Sequence, residues 1–531
     1  MSKKNDFLKG AAILGLAGIV VKFLGMFFRI PLGNIIGDEG MSYYQSAYPI
    51  YNYLLVISTA GIPTAIAKIV SEKRAVGDYY GAKRVLRVSF ILLAIIGACT
   101  STIIIFGAPW LVKVVKNEPA LRSVMAIGPA LFFVSLMSVF RGYFQGTQNM
   151  APYGISQVVE QFFRVIFGLG LAIFFLDRGV EFAAAGGTLG ATIGAFFGFL
   201  VILFMYIRYS KKNPVVDSGN FELEKSNEIV KRILKIAIPI TLGASIMPIM
   251  SLIDLGIIMR RLIEIGFVEE ANNLYGQLSG YANTIVNLPQ VITAAVQISI
   301  VPAIAHLAIK NEQNELEKTM DTGVRLSLLL GLPCGIGVVT LAKEIMLLLY
   351  PLQPETALGA GAILQFSGFG IIFLSIFQIT TGIIQGLGKP ILPARNLGLS
   401  AVVKVILNYT LVGIPSLNIR GAAIATVCAF AIAAVLNIIT LMKLSGYKPN
   451  FKHVVVKPVI SVLVMAVLVK GAYMVSSMVF GNSISTLFGV FVGVVGYLLM
   501  IILTGALNDE DLSFIPGGKY LGRIKNKLVR K

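Results

Sequence analysis

One pattern repeats along nearly the whole chain: a long apolar run, then a shorter stretch rich in Lys, Arg, Gly, Asn or Pro. A helix that crosses the hydrocarbon core of a bilayer needs roughly 20 mostly apolar residues. Runs of that length fall at about 10–32, 43–67, 88–112, 122–146, 154–176, 183–207, 236–259, 276–305, 326–350, 357–386, 396–415, 420–442, 454–479 and 483–507. The pattern predicts an all-α polytopic membrane protein with about fourteen transmembrane helices. Pro63, Pro239, Pro248, Pro289, Pro302 and Pro333 fall inside the predicted spans. A helix bundle tolerates such prolines as kinks, and Pro63, Pro239 and Pro302 are hinge candidates.

The polar stretches orient the spans. Alternate ones hold Lys3, Lys4 and Lys9, then Lys68 to Arg87, a turn with Arg141, and the long stretch from Arg208 to Lys235. Lys310, Lys318 and Arg325 follow, then Lys389 and Arg395, then Lys443 to Lys457, and finally the basic tail. Together they carry the greater part of the 45 Lys and Arg. Positive charge stays on the cytoplasmic side, so both termini are expected there, in a bacterial cytoplasmic membrane. The first apolar run lacks an A-x-A-like cleavage site and is expected to be a span, not a signal.

The chain also repeats itself. Gly142-Tyr-Phe-Gln145-Gly146 recurs as Gly382-Ile-Ile-Gln385-Gly386, an offset that also carries Arg164-Val-Ile onto Lys404-Val-Ile. Gly186, Gly190, Gly194 and Gly198 form a four-residue ladder, echoed by Gly421, Ala425, Ala429 and Ala433. Pro63-Thr-Ala-Ile-Ala is similar to Pro302-Ala-Ile-Ala. Six spans per repeat preserve orientation, which predicts two parallel six-helix lobes plus two extra C-terminal helices. The expected boundaries are an N-lobe at 1–209, a cytoplasmic linker at 210–231, a C-lobe at 232–443, the extra pair at 444–507 and a basic tail at 508–531. The ladders let helix backbones approach closely.

Composition excludes other classes. Hydrophobic residues make up 56% and charged residues 13%, with a mean hydropathy of +0.81; soluble domains average about 45–50% and about 25%. Cys99, Cys334 and Cys428 stand far apart within apolar runs and read as small core residues. His306 and His453 have no partner motif, so no metal site is expected. The net charge of +19 would suit nucleic acid only on a soluble basic surface. Here it reads as topology and attraction to anionic lipid, with no nucleic-acid partner. Walker A and HExxH runs are missing from the sequence. The reading is therefore not an enzyme and without cofactor, and any driving force is a Na⁺ or H⁺ gradient or the membrane potential.

Ionisable residues within spans are costly and point to function. The basic ones are Lys22, Arg29, Arg164, Arg260, Arg261, Lys404 and Lys470; the acidic ones are Glu160 and Asp254. Lys22 and Arg29, seven residues apart, share a helix face. Glu160 and Arg164 are an i,i+4 pair, suited to charge pairing or ion coupling, as is Asp254. An excess of positive charge around a cavity suits a phosphate or pyrophosphate group. In-span Gln, Asn and Tyr suit sugars, or hydrogen bonds between helices.

Several stretches resemble one family. They are Phe7-Leu-Lys-Gly10, Lys22-Phe-Leu-Gly25-Met with Arg29, Ile36-Gly-Asp-Glu-Gly40, Gly61-Ile-Pro-Thr-Ala-Ile-Ala-Lys-Ile-Val-Ser-Glu72 and Phe140-Arg-Gly-Tyr-Phe-Gln-Gly146. They resemble the multidrug/oligosaccharidyl-lipid/polysaccharide exporter superfamily, and within it the bacterial branch of stage V sporulation protein B, YtgP-type and MurJ-type lipid II flippases. The resemblance implies a fourteen-helix flippase for undecaprenyl-pyrophosphate-linked sugars, working by alternating access. It implies a cationic cavity for the pyrophosphate and a groove by the last two helices for the lipid tail. Where MurJ-type members carry an arginine pair in helix 2, Tyr53-Leu-Leu-Val56 stands here, and Asn283, Thr284 and Asn287 replace a basic residue in helix 8. The cationic roles are then redistributed to Arg164, Lys404 and Arg261, beside Lys22 and Arg29. The expected partners are a lipid-linked oligosaccharide, the bilayer and cell-wall synthesis proteins. Competing readings are a cation-coupled multidrug antiporter, an exporter of another lipid-linked polysaccharide, and a non-transporting envelope scaffold.

Overall fold

The computed structural model describes residues 2–214, 224–310, 312–447 and 451–507, with side chains from residue 13 onward. Residues 215–223 of the expected linker and the whole of the expected tail 508–531 lie outside the described residues. The chain is helical from end to end among those residues, as a lipid environment demands, because every backbone N–H and C=O must find its partner within the segment.

Two compact units form. The first comprises residues up to Arg260 together with Glu269–Gly276; the second comprises Arg261–Val268 and everything from Gln277 onward. The first unit holds α1 (Ser2–Thr59), α2 (Ile62–Ala75), α3 (Tyr79–Val114), α4 (Leu121–Gly146), α5 (Ala151–Phe175) and α6 (Val180–Lys212). It also takes α7 (Ser226–Ala244), most of α8 (Ile246–Glu264) and the short α9 (Ala271–Gly276). The second unit contains α10 (Asn283–Val286), α11 (Gln290–Lys310), α12 (Gln313–Thr340), α13 (Ala342–Leu349) and α14 (Pro354–Gly386). It continues with α15 (Ile391–Val412), α16 (Ile419–Ser445), α17 (Lys457–Ser477) and α18 (Asn482–Leu503).

Among the described residues twelve helical stretches are long and apolar enough to span, and the α7–α8 pair, bent by 42°, makes a thirteenth if it is one span. At 1.5 Å per residue the 58 residues of α1 would run about 87 Å, nearly three bilayer cores. It breaks at Gly37, whose φ of 66° and ψ of −174° lie where only glycine is at ease. The count of twelve to thirteen is close to the figure of about fourteen that the hydropathy pattern predicts.

Several spans are broken where the sequence reads as continuous. The expected span 43–67 is divided at Ala60–Gly61, between α1 and α2, and Pro63 stands in the first turn of α2, where proline costs least. The expected span 236–259 is divided at Ser245, six residues beyond Pro239. The expected span 276–305 contains a π-helical turn at Gln277–Ala282, then α10, and a stop before α11; Pro302 lies inside α11.

The duplication is visible in matched helix crossings. A Cβ added to Gly97 would come 2.8 Å from the Ser135 Cβ, and one added to Gly331 would come 2.9 Å from the Ser375 Cβ. Gly186 lies against the Leu171 carbonyl as Gly421 lies against the Leu411 carbonyl. Gly142 lies over the Pro63 backbone, whereas its counterpart Gly382 lies over Gln297. The structural counterpart of Pro63 is therefore Gln297, and Pro302 stands five residues further on; the similarity of the two proline runs is out of register.

Candidate functional site: buried charges in the first unit

Two arginines from different helices converge on one carboxylate inside the first unit. Arg141, on α4, places Nη2 3.0 Å from Glu160 Oε2 on α5. Its Nε donates to Ser156 Oγ at 3.0 Å, and its guanidinium stands 5.2 Å from the centre of the Tyr153 ring. Arg164 sits one helical turn beyond Glu160 and brings Nη2 to 3.4 Å from Oε1. Arg164 Nε is buried with no hydrogen-bond partner. The side chains of Arg141, Glu160 and Arg164 are only 10%, 15% and 16% exposed. Charges so enclosed need counter-charges, and this trio holds two positive and one negative.

The sequence sets this geometry through backbone approach. A Cβ at Gly194 on α6 would collide with the Glu160 carbonyl oxygen, and one at Gly190 would come 2.8 Å from the Arg164 carbonyl oxygen. Gly198 leaves 3.0 Å for the Glu160 Cβ. The small-residue ladder therefore seats α5 at the residues that bear the charge. On another side α1 packs by Gly25, where a Cβ would meet Gln161 Nε2 at 3.4 Å.

Arg29 and Arg164 both lie within electrostatic reach of the Tyr44 hydroxyl, which donates to the Tyr48 hydroxyl at 2.6 Å. Phe28, Tyr44, Tyr48 and Tyr51 follow one another with ring centres 5.8, 4.8 and 6.2 Å apart. Lys22, two turns before Arg29, is exposed on α1, and Asp254 is half-buried on α8. The structure thus brings Arg29, Glu160 and Arg164 into one neighbourhood and leaves Lys22 exposed two turns away on α1.

Of the other predicted basic residues, Arg260 belongs to the first unit and Arg261, Lys404 and Lys470 to the second. Lys404 is half-buried on α15. Arg261 is engaged in packing: Nε donates to the Tyr409 carbonyl at 3.0 Å, Nη1 lies 2.5 Å from Glu264, and the guanidinium lies 4.4 Å from the Tyr409 ring centre. Any side chain at Gly413 would collide with it. Lys470 pairs with Glu344 at 3.2 Å.

At the positions that match Arg141, Ser156 and Glu160, the second unit has Thr381, Asn396 and Ser400. Asn437 on α16 donates to Thr380 Oγ1, Thr381 Oγ1 and the Phe377 carbonyl at 3.2, 3.0 and 3.3 Å. Asn396 donates to Asn437 Oδ1 and Thr440 Oγ1, both at 2.9 Å. Elsewhere in the second unit, α12, α13, α17 and α18 line an open apolar cavity of about 420 Å³, with Leu329, Cys334, Leu341, Met465, Val469 and Tyr497 among its walls. Among the described residues no cluster of three or more His, Cys, Asp or Glu could hold a metal.

Sequence reasoning missed Arg141, which it assigns to a cytoplasmic turn. The available signal was its position: five residues before the end of an apolar run, with a carboxylate in the next span.

Two helical units, long apolar helices in both and charges enclosed inside the first define a multi-pass membrane protein of the transporter class. The sequence pattern of the polysaccharide biosynthesis protein family matches residues 7–308, and that of the MatE family matches 279–410. The chain belongs to the polysaccharide biosynthesis protein family, within the multidrug/oligosaccharidyl-lipid/polysaccharide exporter superfamily. It is 28% identical to stage V sporulation protein B of Bacillus subtilis, over 98% of this chain and 99% of that one. It is 26% identical to the lipid II flippase MurJ of Bacillus subtilis, over 99% and 97%. Its fold matches the inward closed conformation of lipid II flippase MurJ with a TM-score of 0.70 at 14% identity, covering 93% of this chain and 98% of that one.

Proposed function

We propose that this chain is a flippase for an undecaprenyl-pyrophosphate-linked sugar precursor, in the first place the lipid II of peptidoglycan synthesis, in a bacterial cytoplasmic membrane. The observation that carries the reading is the pair of guanidiniums of Arg141 and Arg164 enclosed in the first unit with a single carboxylate between them. Intramembrane positive charge of that kind is tolerated where an anion must be met. Lys22, Arg29 and Arg164 of the first unit receive the pyrophosphate, Lys404 of the second unit supplies further positive charge for its passage, and Arg261 holds the end of α8 against α15. The apolar cavity beside α17 and α18 suits a hydrocarbon chain, since its lining presents almost no polar atoms. The names borne by the relatives, a sporulation protein and a lipid II flippase, agree with this substrate class. The lobes, the first six and next six spans, alternate in access, with Pro63 and Pro239 near breaks and Pro302 inside α11 as hinge candidates. The membrane potential or a Na⁺ or H⁺ gradient drives the step, and cell-wall synthesis proteins receive the product.

Complementation tests it. Bacteria depleted of their lipid II flippase should regain growth when this chain is expressed and inserted, and Lys22→Ala, Arg164→Gln and Lys404→Ala should each lose rescue. No rescue by the inserted wild type removes lipid II as the substrate. Full rescue by all three variants removes the cationic site. The match to the MatE family favours one second reading, a cation-coupled multidrug antiporter. Loss of drug efflux in Glu160→Gln or Asp254→Asn would support it.

A further inference from the structure

Glu160 occupies the place an anionic ligand would take, between two guanidiniums, and it is held unequally. Its Oε2 lies 3.0 Å from Arg141, which Ser156 and the Tyr153 ring also hold in place. Its Oε1 lies 3.4 Å from Arg164, beyond the usual range of an N–H···O bond. Arg164 Nε, buried beside it, has no partner. A guanidinium presents its donors as a fork that matches two oxygens of a carboxylate or phosphate. Arg164 offers that fork and Glu160 takes one prong of it loosely.

Packing does not require this arrangement. The second unit ties the same three helices of the repeat with Thr381, Asn396, Asn437 and Thr440, all neutral. Neutral networks cost less desolvation than enclosed ions. The glycine ladder of α6 nonetheless packs directly against the Glu160 and Arg164 backbone, so the charged pair sits at the tightest part of the crossing.

The geometry points to Glu160 as an internal counter-anion, which neutralises Arg164 while the site is empty, yields it to the anionic group of the substrate, and stays on Arg141. The exchange explains why one arm of the carboxylate is anchored and the other loose. It also makes affinity a competition: an incoming group must carry more charge, or fit the fork better, than one carboxylate oxygen at 3.4 Å. A pyrophosphate meets both conditions, so the inference rests on the substrate class proposed above.

The test uses the full chain in lipid nanodiscs, with farnesyl pyrophosphate as probe and inorganic pyrophosphate beside it, read by calorimetry. Glu160→Gln should bind farnesyl pyrophosphate about tenfold tighter than the wild type, and Arg164→Gln about tenfold weaker; tenfold corresponds to about 1.4 kcal/mol. The double variant E160Q/R164Q should bind no tighter than R164Q. Because E160Q leaves two cations facing each other and can misfold, R141Q/E160Q, which removes one charge of each sign, serves as the second variant and should also bind tighter. If these folded variants bind at or below wild-type affinity while R164Q is weakened, the counter-anion role is overturned and the cationic site stands. If R164Q binds like the wild type, pyrophosphate does not use this site and both readings fall.

Discussion

Position 141 in the first unit is an arginine; 240 residues on, in the second unit, stands Thr381. Ser156 becomes Asn396 and Glu160 becomes Ser400, while Arg164 keeps its charge as Lys404. The matched glycine crossings show that the helices around these positions pack alike in both units. One unit thus closes its interior with ions and the other with amides and hydroxyls. The neutral network satisfies the same crossing, so charge in the first unit is not the cost of joining α4, α5 and α6. Enclosed ion pairs are in any case a poor source of stability. The difference separates what the fold needs, which is in both units, from what the site needs, which is in one.

The largest effect should come from Arg141→Ala. It leaves Glu160 with one long contact and should lower stability by about 3 kcal/mol, seen as a fall in the unfolding midpoint of the purified protein. Thr381→Ala, its counterpart, leaves Asn437 with Thr380 and the Phe377 carbonyl and should cost under about 1 kcal/mol. Equal losses would break the comparison. Next, Gly186→Ala and its counterpart Gly421→Ala should each cost about 2 kcal/mol in the same assay, since both force packed backbones apart. A large inequality between them would mean that the two units do not share their packing. Asn437→Ala should cost about 1 kcal/mol and leave pyrophosphate binding unchanged; a weakened affinity would move the second unit's network into the site.

The smallest effect concerns Tyr447, just past α16. Its hydroxyl donates to Asp321 at 2.9 Å, and Asp321 also pairs with buried Arg325 at 3.0 Å. Burial, reinforced by the Asp321 charge, raises the Tyr447 phenol above its ordinary value of 10.0. A raised phenol favours the neutral form, so its contribution is complete below pH 10 and is lost as pH climbs beyond it. Tyr447→Phe should lower the midpoint slightly at pH 8 and flatten its decline between pH 10 and 11.5. An unchanged alkaline slope would remove Tyr447 from the account.

Much of the fold was legible because a bilayer asks one simple thing of a sequence, length at low polarity, and the chain supplies it repeatedly. The duplication was legible because close backbone crossings permit only the smallest residues, so Gly142, Gly186 and their counterparts keep their places. Breaks were less legible. Those at Gly61 and Ser245 lie within apolar runs, where hydropathy does not register a change of direction. In the candidate site, Glu160 and Arg164 could be read from their i,i+4 spacing, which fixes a shared face. Arg141 could not, because an arginine near the end of a span satisfies the positive-inside pattern whether it points to water or into the bundle. Arg261 could not be assigned either, because its carbonyl acceptor at Tyr409 lies 148 residues away in the chain.

The excursion of residues 269–276 back into the first unit bears on how the protein is made. Gly276 lies against the backbone of Asp38, and Asn272 accepts a hydrogen bond from Ser42, both beside the break in α1. On a ribosome, the first unit therefore stays unfinished until α9 has emerged, by which point more than half of the 531 residues have been synthesised. A chain divided between α6 and α7 would carry α7, α8 and α9 on the later fragment. The earlier fragment would enter the membrane with its Ser42 side still waiting for α9.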